Sequence, residues 1–160
     1  MIKYRKGDLL AAFKNKELHA IAHQANCFNT MGSGIAKQIR EQFPEAYEAD
    51  QATVKGDRGK LGSLTFTMNE YGSIYNLYGQ YNYGREEGRV YTQLDALGQA
   101  LYTMSLFLEA EADARAIPTS ELCVGLPKIG CGLAGEDWSN VEPLIEETLG
   151  QFQVYVYELQ

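Results

Sequence analysis

Two glycine-rich segments, each set between an apolar run and a helical pattern, constrain this chain more than any other feature. The first is NCFNTMGSGIA at 26–36 and the second is LPKIGCGL at 126–133. In both, glycine lets the backbone approach another group with no Cβ in the way. A helix that begins directly after such a turn offers unpaired N–H groups and the positive end of its dipole. An anion fits there physically. Neither segment is a dinucleotide fingerprint, because no third glycine follows at the right place, and neither carries the Gly-Lys-Ser/Thr of a P-loop. Taken singly, each can also be a plain strand-to-helix turn. Two of them at the carboxyl ends of strands in one sheet make the arrangement in which open α/β sheets hold ligands.

The rest of the pattern supplies that sheet. Strands are expected at 2–5, 18–25, 64–68, 74–78, 123–126 and 153–159, the last from the alternation QVYVYEL. Residues 35–43 carry Ile35, Ala36, Ile39 and Phe43 at helical spacing, and Pro44 is expected to stop that helix. A long helix is expected over 94–108. Ser139 followed by Glu142 reads as a capping box opening a helix to about Leu149. The polar stretch 51–63 reads as a surface loop. Strands alternating with helices give an α/β fold, and the pair around Tyr71–Ser73 adds antiparallel pairing, so the sheet is mixed.

Composition narrows the classes. The 160 residues are 45% hydrophobic, which is ample for one globular domain spanning 1–160. No apolar run is long enough to span a membrane, and the N-terminus lacks a secretory h-region. Cys27, Cys123 and Cys131 form no C-x-x-C pair, which argues against a disulfide framework and a structural zinc and suggests a reducing cytoplasm. A net charge of −7 without a basic cluster disfavours long nucleic acid as a partner. One small anionic ligand remains compatible with it, since backbone amides act locally.

These motifs resemble the macrodomain family. HQANCFNTMGSGIA at 23–36 is similar to its first ribose-and-phosphate loop. KGDL at 6–9 is similar to its adenine-side motif, LPKIGCGL with Trp138 to its second phosphate loop, and VYVYEL to its last strand. The motifs run in family order over nearly the whole chain. The resemblance implies a central mixed β-sheet flanked by helices on both faces, a three-layer α/β/α architecture. It also implies binding of ADP-ribose without metal or other cofactor.

Within the family the spacing is most similar to single-domain ADP-ribose 1″-phosphate phosphatases, then to terminal ADP-ribose protein glycohydrolases. The implied map puts Gly7, Asp8, Leu9 and Tyr157 at adenine, and Gln24, Ala25 and Asn26 at the distal ribose. Gly32, Ser33, Gly34, Ile35, Ala36 and Lys37 would wrap the diphosphate and distal end together with Lys128, Ile129, Gly130, Cys131, Gly132, Leu133 and Ala134. Other readings stay open for three of these residues. Asp8 can be a helix cap, Asn26 an Asx turn, and Tyr157 a cross-strand aromatic.

The glycohydrolases use a lysine and an aspartate where this chain has Gln80 and Ala134, which counts against their lysine-dependent chemistry. Ordinary phosphatase motifs are absent too: no cysteine precedes an arginine by six, and there is no D-x-D. His23 is the first candidate for general acid/base work, with a structural or orienting histidine as the alternative. Asp137 is the second, with a dipole-favoured carboxylate as its alternative. Conversion of ADP-ribose 1″-phosphate to ADP-ribose and phosphate is the leading expectation. The alternatives are a non-catalytic ADP-ribose reader and a hydrolase removing ADP-ribose from protein or acyl esters.

Overall fold

The computed structural model describes residues 2–158. Its strands are β1 (Ile2–Lys6), β2 (Ala20–Gln24), β3 (Leu64–Met68), β4 (Ser73–Leu77), β5 (Cys123–Leu126) and β6 (Gln153–Glu158). Its helices are α1 (Leu9–Lys14), α2 (Gly34–Gln42), α3 (Pro44–Gln51), α4 (Leu94–Arg115) and α5 (Trp138–Leu149). The strand order is β1-β6-β5-β2-β4-β3, with every pairing parallel except β3 with β4. The carboxyl ends of β1, β6, β5, β2 and β4 therefore share one edge, and the four connections after β1, β2, β4 and β5 leave from it.

Alternation along the strands fills both faces. Ala20 and Ala22 of β2, Tyr75 and Leu77 of β4, and Val154 and Val156 of β6 pack with Leu97, Leu101 and Met104 of α4 and Val141 and Ile145 of α5. Ile21, Ile74, Tyr155 and Tyr157 point the other way, onto Leu10 and Phe13 of α1 and Ile39 of α2. The result is the expected three layers, because strands covered on both sides must be apolar on both sides. Among the described residues no helix is long and apolar enough to cross a membrane.

Several boundaries differ from the sequence expectation. Pro44 ends α2 but also occupies the first turn of α3, where its missing N–H is no loss. The cap of α5 is Asp137, two residues before Ser139; the Ser139 hydroxyl donates to the Asp137 carboxylate at 2.9 Å instead of capping. α4 runs to Arg115 and closes on Ala116 in the left-handed region. Residue 159 of the last expected strand lies outside the described residues. The stretch 51–63 is more than a surface loop. It holds a 3-10 turn, Arg58–Lys60, whose buried lysine donates to the Cys27 carbonyl at 3.0 Å and to the Asn29 side chain.

His23 belongs to the core. Its Nε2 lies 2.6 Å from Oδ1 of Asn76, its register partner on β4, and Asn76 in turn donates to the Ala46 carbonyl at 3.0 Å. The imidazole is fully buried. Burial lowers its pKa from 6.5 to about 4, against the opposing effect of the Asn76 bond. The folded chain thus keeps His23 neutral where the unfolded chain would protonate it. Stability from this group is present above 6.5 and is lost as pH falls toward about 4. Lowering the pH from about 7 to about 5 should cost about 2 kcal/mol more in the native protein than in His23→Gln. Urea unfolding at both pH values measures this. Equal losses in the two proteins would mean that the buried ring already carries a proton.

Candidate functional site

A cleft runs along the carboxyl edge of the sheet. One part, of about 400 Å³, lies among the connections after β2, β4 and β5. The other, of about 430 Å³, lies beside the connection after β1 and the end of β6. Gly34, Ile35, Pro127 and Lys128 line both, so the two parts adjoin at the start of α2.

The first loop is built by local hydrogen bonds. Asn26 forms an Asx turn: its Oδ1 accepts from the Phe28 N–H at 2.8 Å, and its Nδ2 donates to Thr30 Oγ1 at 2.7 Å. Asn29 and Met31 take left-handed backbone angles, with φ of 59° and 40°. Such angles are costly for non-glycine residues unless the surroundings impose them. Here Lys60 holds Asn29, and Met31 is buried. The chain then enters α2 at Gly34, at φ +58°. Ser33 supplies no side-chain cap, so the first amides of α2 stay free toward the cleft.

The second loop follows β5. Ile129 anchors it in the core, and Gly130 turns at φ +77°. The Gly130 carbonyl accepts from Thr92 Oγ1 at 2.8 Å, and that oxygen accepts from Gln24 Nε2 at 2.9 Å. Gln24 also donates to Gln80 Oε1 at 2.8 Å, and its own buried Oε1 has no partner among the described residues. At Gly34 in the first loop and Gly132 in the second, an added Cβ would meet nothing within 4 Å.

The remaining expected residues sort cleanly. Gln24, Ala25, Asn26, Gly32, Ser33, Gly34, Ile35 and Ala36 line the cleft, as do Lys128, Ile129, Gly130, Gly132, Leu133 and Ala134. Gly7, Asp8, Leu9 and Tyr157 line its other part. Asp8 caps α1, accepting from the Leu10 amide at 2.9 Å, and the Tyr157 hydroxyl is buried without a partner among the described residues. Lys128 pairs with Glu158 at 3.0 Å.

Four expected residues do not line the cleft. Lys37 points along α2 toward Glu41. Cys131 packs against the core, and burial with nearby Glu136 and Asp137 pushes its thiol up to about 11. His23 is enclosed in the sheet. Asp137 is an exposed cap, its pKa lowered by hydrogen bonds from the backbone and hydroxyl of Ser139. Of the two acid/base candidates, His23 is thus a buried strand histidine and Asp137 a helix cap, and neither is among the residues that line the cleft.

Sequence reasoning missed the wall contributed by Gln80, Tyr83, Gly84 and Arg85 after β4, along with Thr30 and Met31. The signal for that wall is topological, since β4 lies next to β2 in the sheet. Among the described residues no group of three or more His, Cys, Asp or Glu could hold a metal ion.

No family model matches the chain. An uncharacterised 17.5 kDa protein of Enterobacteria phage T4, from its tk-vs intergenic region, is 30% identical over 99% of this chain and 96% of its own length. An ADP-ribose 1″-phosphate phosphatase of Debaryomyces hansenii is 29% identical over 92% of this chain and 93% of that protein. A DNA ADP-ribosyl glycohydrolase of Mycobacterium tuberculosis is 27% identical over 89% of this chain, but the match spans only 37% of that protein. A solved macrodomain protein from Streptomyces coelicolor superposes with a TM-score of 0.66 at 28% identity, covering 99% of both chains. With a five-strand parallel edge, two glycine loops upon it and these likenesses in both sequence and structure, the chain belongs to the macrodomain family.

Proposed function

We propose that this macrodomain binds ADP-ribose along the cleft and hydrolyses ADP-ribose 1″-phosphate to ADP-ribose and phosphate. The observation that carries the reading is the cleft itself, spanning the sheet from Asp8 and Tyr157 to Gln80 and lined midway by backbone from two glycine loops. Adenine lies on the Asp8 and Tyr157 side, the diphosphate lies on the amides of both loops, and the distal ribose lies by Gln24 and Asn26. The Debaryomyces relative, similar over nearly all of both chains, supports the choice of substrate.

The chemistry is one of positioning and electrostatics. Water adds to phosphorus opposite the sugar oxygen, and the bond from phosphorus to the anomeric oxygen breaks. The electron pair stays on that oxygen, which takes the proton of the phosphate monoanion. Phosphate esters keep this proton in part near neutral pH, since their second pKa is about 6. Amides preset toward the transferring group stabilise its charge with no reorganisation.

A second reading has one observation in its favour. Among the described residues lining the glycine-loop part of the cleft, none is a carboxylate or an imidazole. A site of that composition binds without turnover if no water is held in line.

Phosphate release from ADP-ribose 1″-phosphate, measured beside calorimetric binding of ADP-ribose, separates the two readings. Release is expected; tight binding with no release would leave the reader. EDTA should change neither signal. His23→Gln should keep turnover within about threefold of the native protein, because a general acid or base contributes about 100-fold or more and this ring does not reach the cleft. A 100-fold loss in a folded variant would restore His23 to the chemistry. Gly130→Val should abolish binding while the far-ultraviolet spectrum stays native. Its side chain would strain a φ of +77° and press on Thr92, whose hydroxyl lies 3.0 Å from the added Cβ. Normal binding by that variant would reduce the second loop to a turn.

A further inference from the structure

Arg85 sits at the opposite end of the cleft from Asp8 and Tyr157. β1 and β4 are four steps apart in the sheet, which at about 4.8 Å per step places their connections roughly 19 Å apart. Arg85 follows β4 and lines the cleft there with Gln80 and Tyr83. The other cation on the cleft, Lys128, is already paired with Glu158. Arg89 is likewise engaged, with Glu86 at 3.3 Å and with the Tyr91 ring 4.7 Å away. Arg85 makes no ion pair among the described residues.

Its backbone is fixed while its guanidinium is free. Gly84 packs so closely on Tyr91 that an added Cβ would fall 2.3 Å from the phenol oxygen. The Glu86 N–H donates to the same oxygen at 3.3 Å. Tyr91 is itself buried, and its N–H donates to the Ala134 carbonyl of the second glycine loop at 2.7 Å. Both chain neighbours of Arg85 thus rest on one phenol that rests on the second loop. A cation placed this way loses little freedom on meeting an anion.

We propose that Arg85 is the specificity residue for a second anionic group, a phosphate monoester on the terminal ribose of the ligand. This rests on the ADP-ribose reading above. The planar guanidinium matches two phosphate oxygens at once, which an ammonium does not. It distinguishes ADP-ribose 1″-phosphate from ADP-ribose, whose diphosphate lies on the loop amides.

The test uses three ligands, titrated in the cold and checked for intactness afterwards. They are ADP-ribose, its 1″-phosphate, and the isomer phosphorylated at the 2′-hydroxyl of the adenosine end. The native protein should prefer the 1″-phosphate to ADP-ribose by about tenfold, the scale of one charge-assisted contact. Arg85→Gln should erase that preference while ADP-ribose and the 2′ isomer lose no more than about twofold. Arg85→Lys should retain part of it. Tyr91→Phe, which leaves the arginine but removes the oxygen that seats its neighbours, should weaken the preference at unchanged ADP-ribose affinity. An equal loss for all three ligands in Arg85→Gln would overturn the proposal, as would no loss at all. Native protein that binds ADP-ribose with no preference for the 1″-phosphate overturns the role of Arg85 alone. Native protein that binds none of the three overturns the cleft reading and Arg85 with it.

Discussion

The Thr92 hydroxyl holds three walls of the cleft together. It donates to the Gly130 carbonyl in the loop after β5 and accepts from Gln24 at the end of β2. Thr92 itself closes the segment after β4, bridging to Gln80. Each neutral bond of this kind contributes about 1 kcal/mol to folding, a modest amount. Its larger consequence is geometric. Gly130 turns through a left-handed angle, and without a fixed carbonyl the two amides beyond it would have no defined aim. Ligand orientation is sensitive to displacements of about 1 Å, so a weak bond in this place governs a strong one elsewhere.

A second buried device sits beneath the first loop. Lys60 is an ammonium almost entirely out of water, which is costly unless its hydrogen bonds are met. The Cys27 carbonyl and the Asn29 side chain meet them, and the Tyr78 ring lies 5.1 Å away. Tyr78 in turn donates to the buried carboxylate of Asp50 at 2.6 Å. Burial raises the pKa of Asp50, while the Tyr78 bond and the Lys60 charge lower it. The cluster holds a loop in which two non-glycine residues adopt positive φ. Both loops are therefore supported from behind by polar side chains, Thr92 and Lys60, that do not themselves line the cleft.

Most of the sheet was legible because its strands carry apolar residues on alternating faces and its turns carry glycine. The two loops were legible for the same reason, and so was their common edge. The wall after β4 was not. Tyr83 and Arg85 sit in an exposed, polar segment, and only the strand order, with β4 beside β2, turns that segment toward the ligand. Lys60 was hidden for the opposite reason: it lies in a mostly polar and exposed stretch, so nothing local reports its burial. The placement of His23 and Asp137 was not legible either, since residue type reports neither the burial of the one nor the capping role of the other. An imidazole next to a ligand loop suggests acid/base work, but its strand register with Asn76 turns it into the sheet.

On the proposed reading, the absence of a carboxylate or imidazole among the described residues of the glycine-loop part narrows the substrate by chemistry. On the proposed reading, the bond that breaks joins phosphorus to an anomeric oxygen. That oxygen leaves as a hemiacetal, a far weaker base than an ordinary alkoxide, and the phosphate monoanion brings its own proton. Such a reaction needs its water aligned and its charge stabilised, and loop amides with one guanidinium provide both. A simple sugar phosphate with an alkoxide leaving group would need a general acid that the described residues of the glycine-loop part do not supply. The chain as a whole carries a charge of −7, so its attraction for anions is confined to these amides and cations. On that reading, discrimination among phosphate esters comes from a cleft of backbone amides and one guanidinium set in an acidic protein.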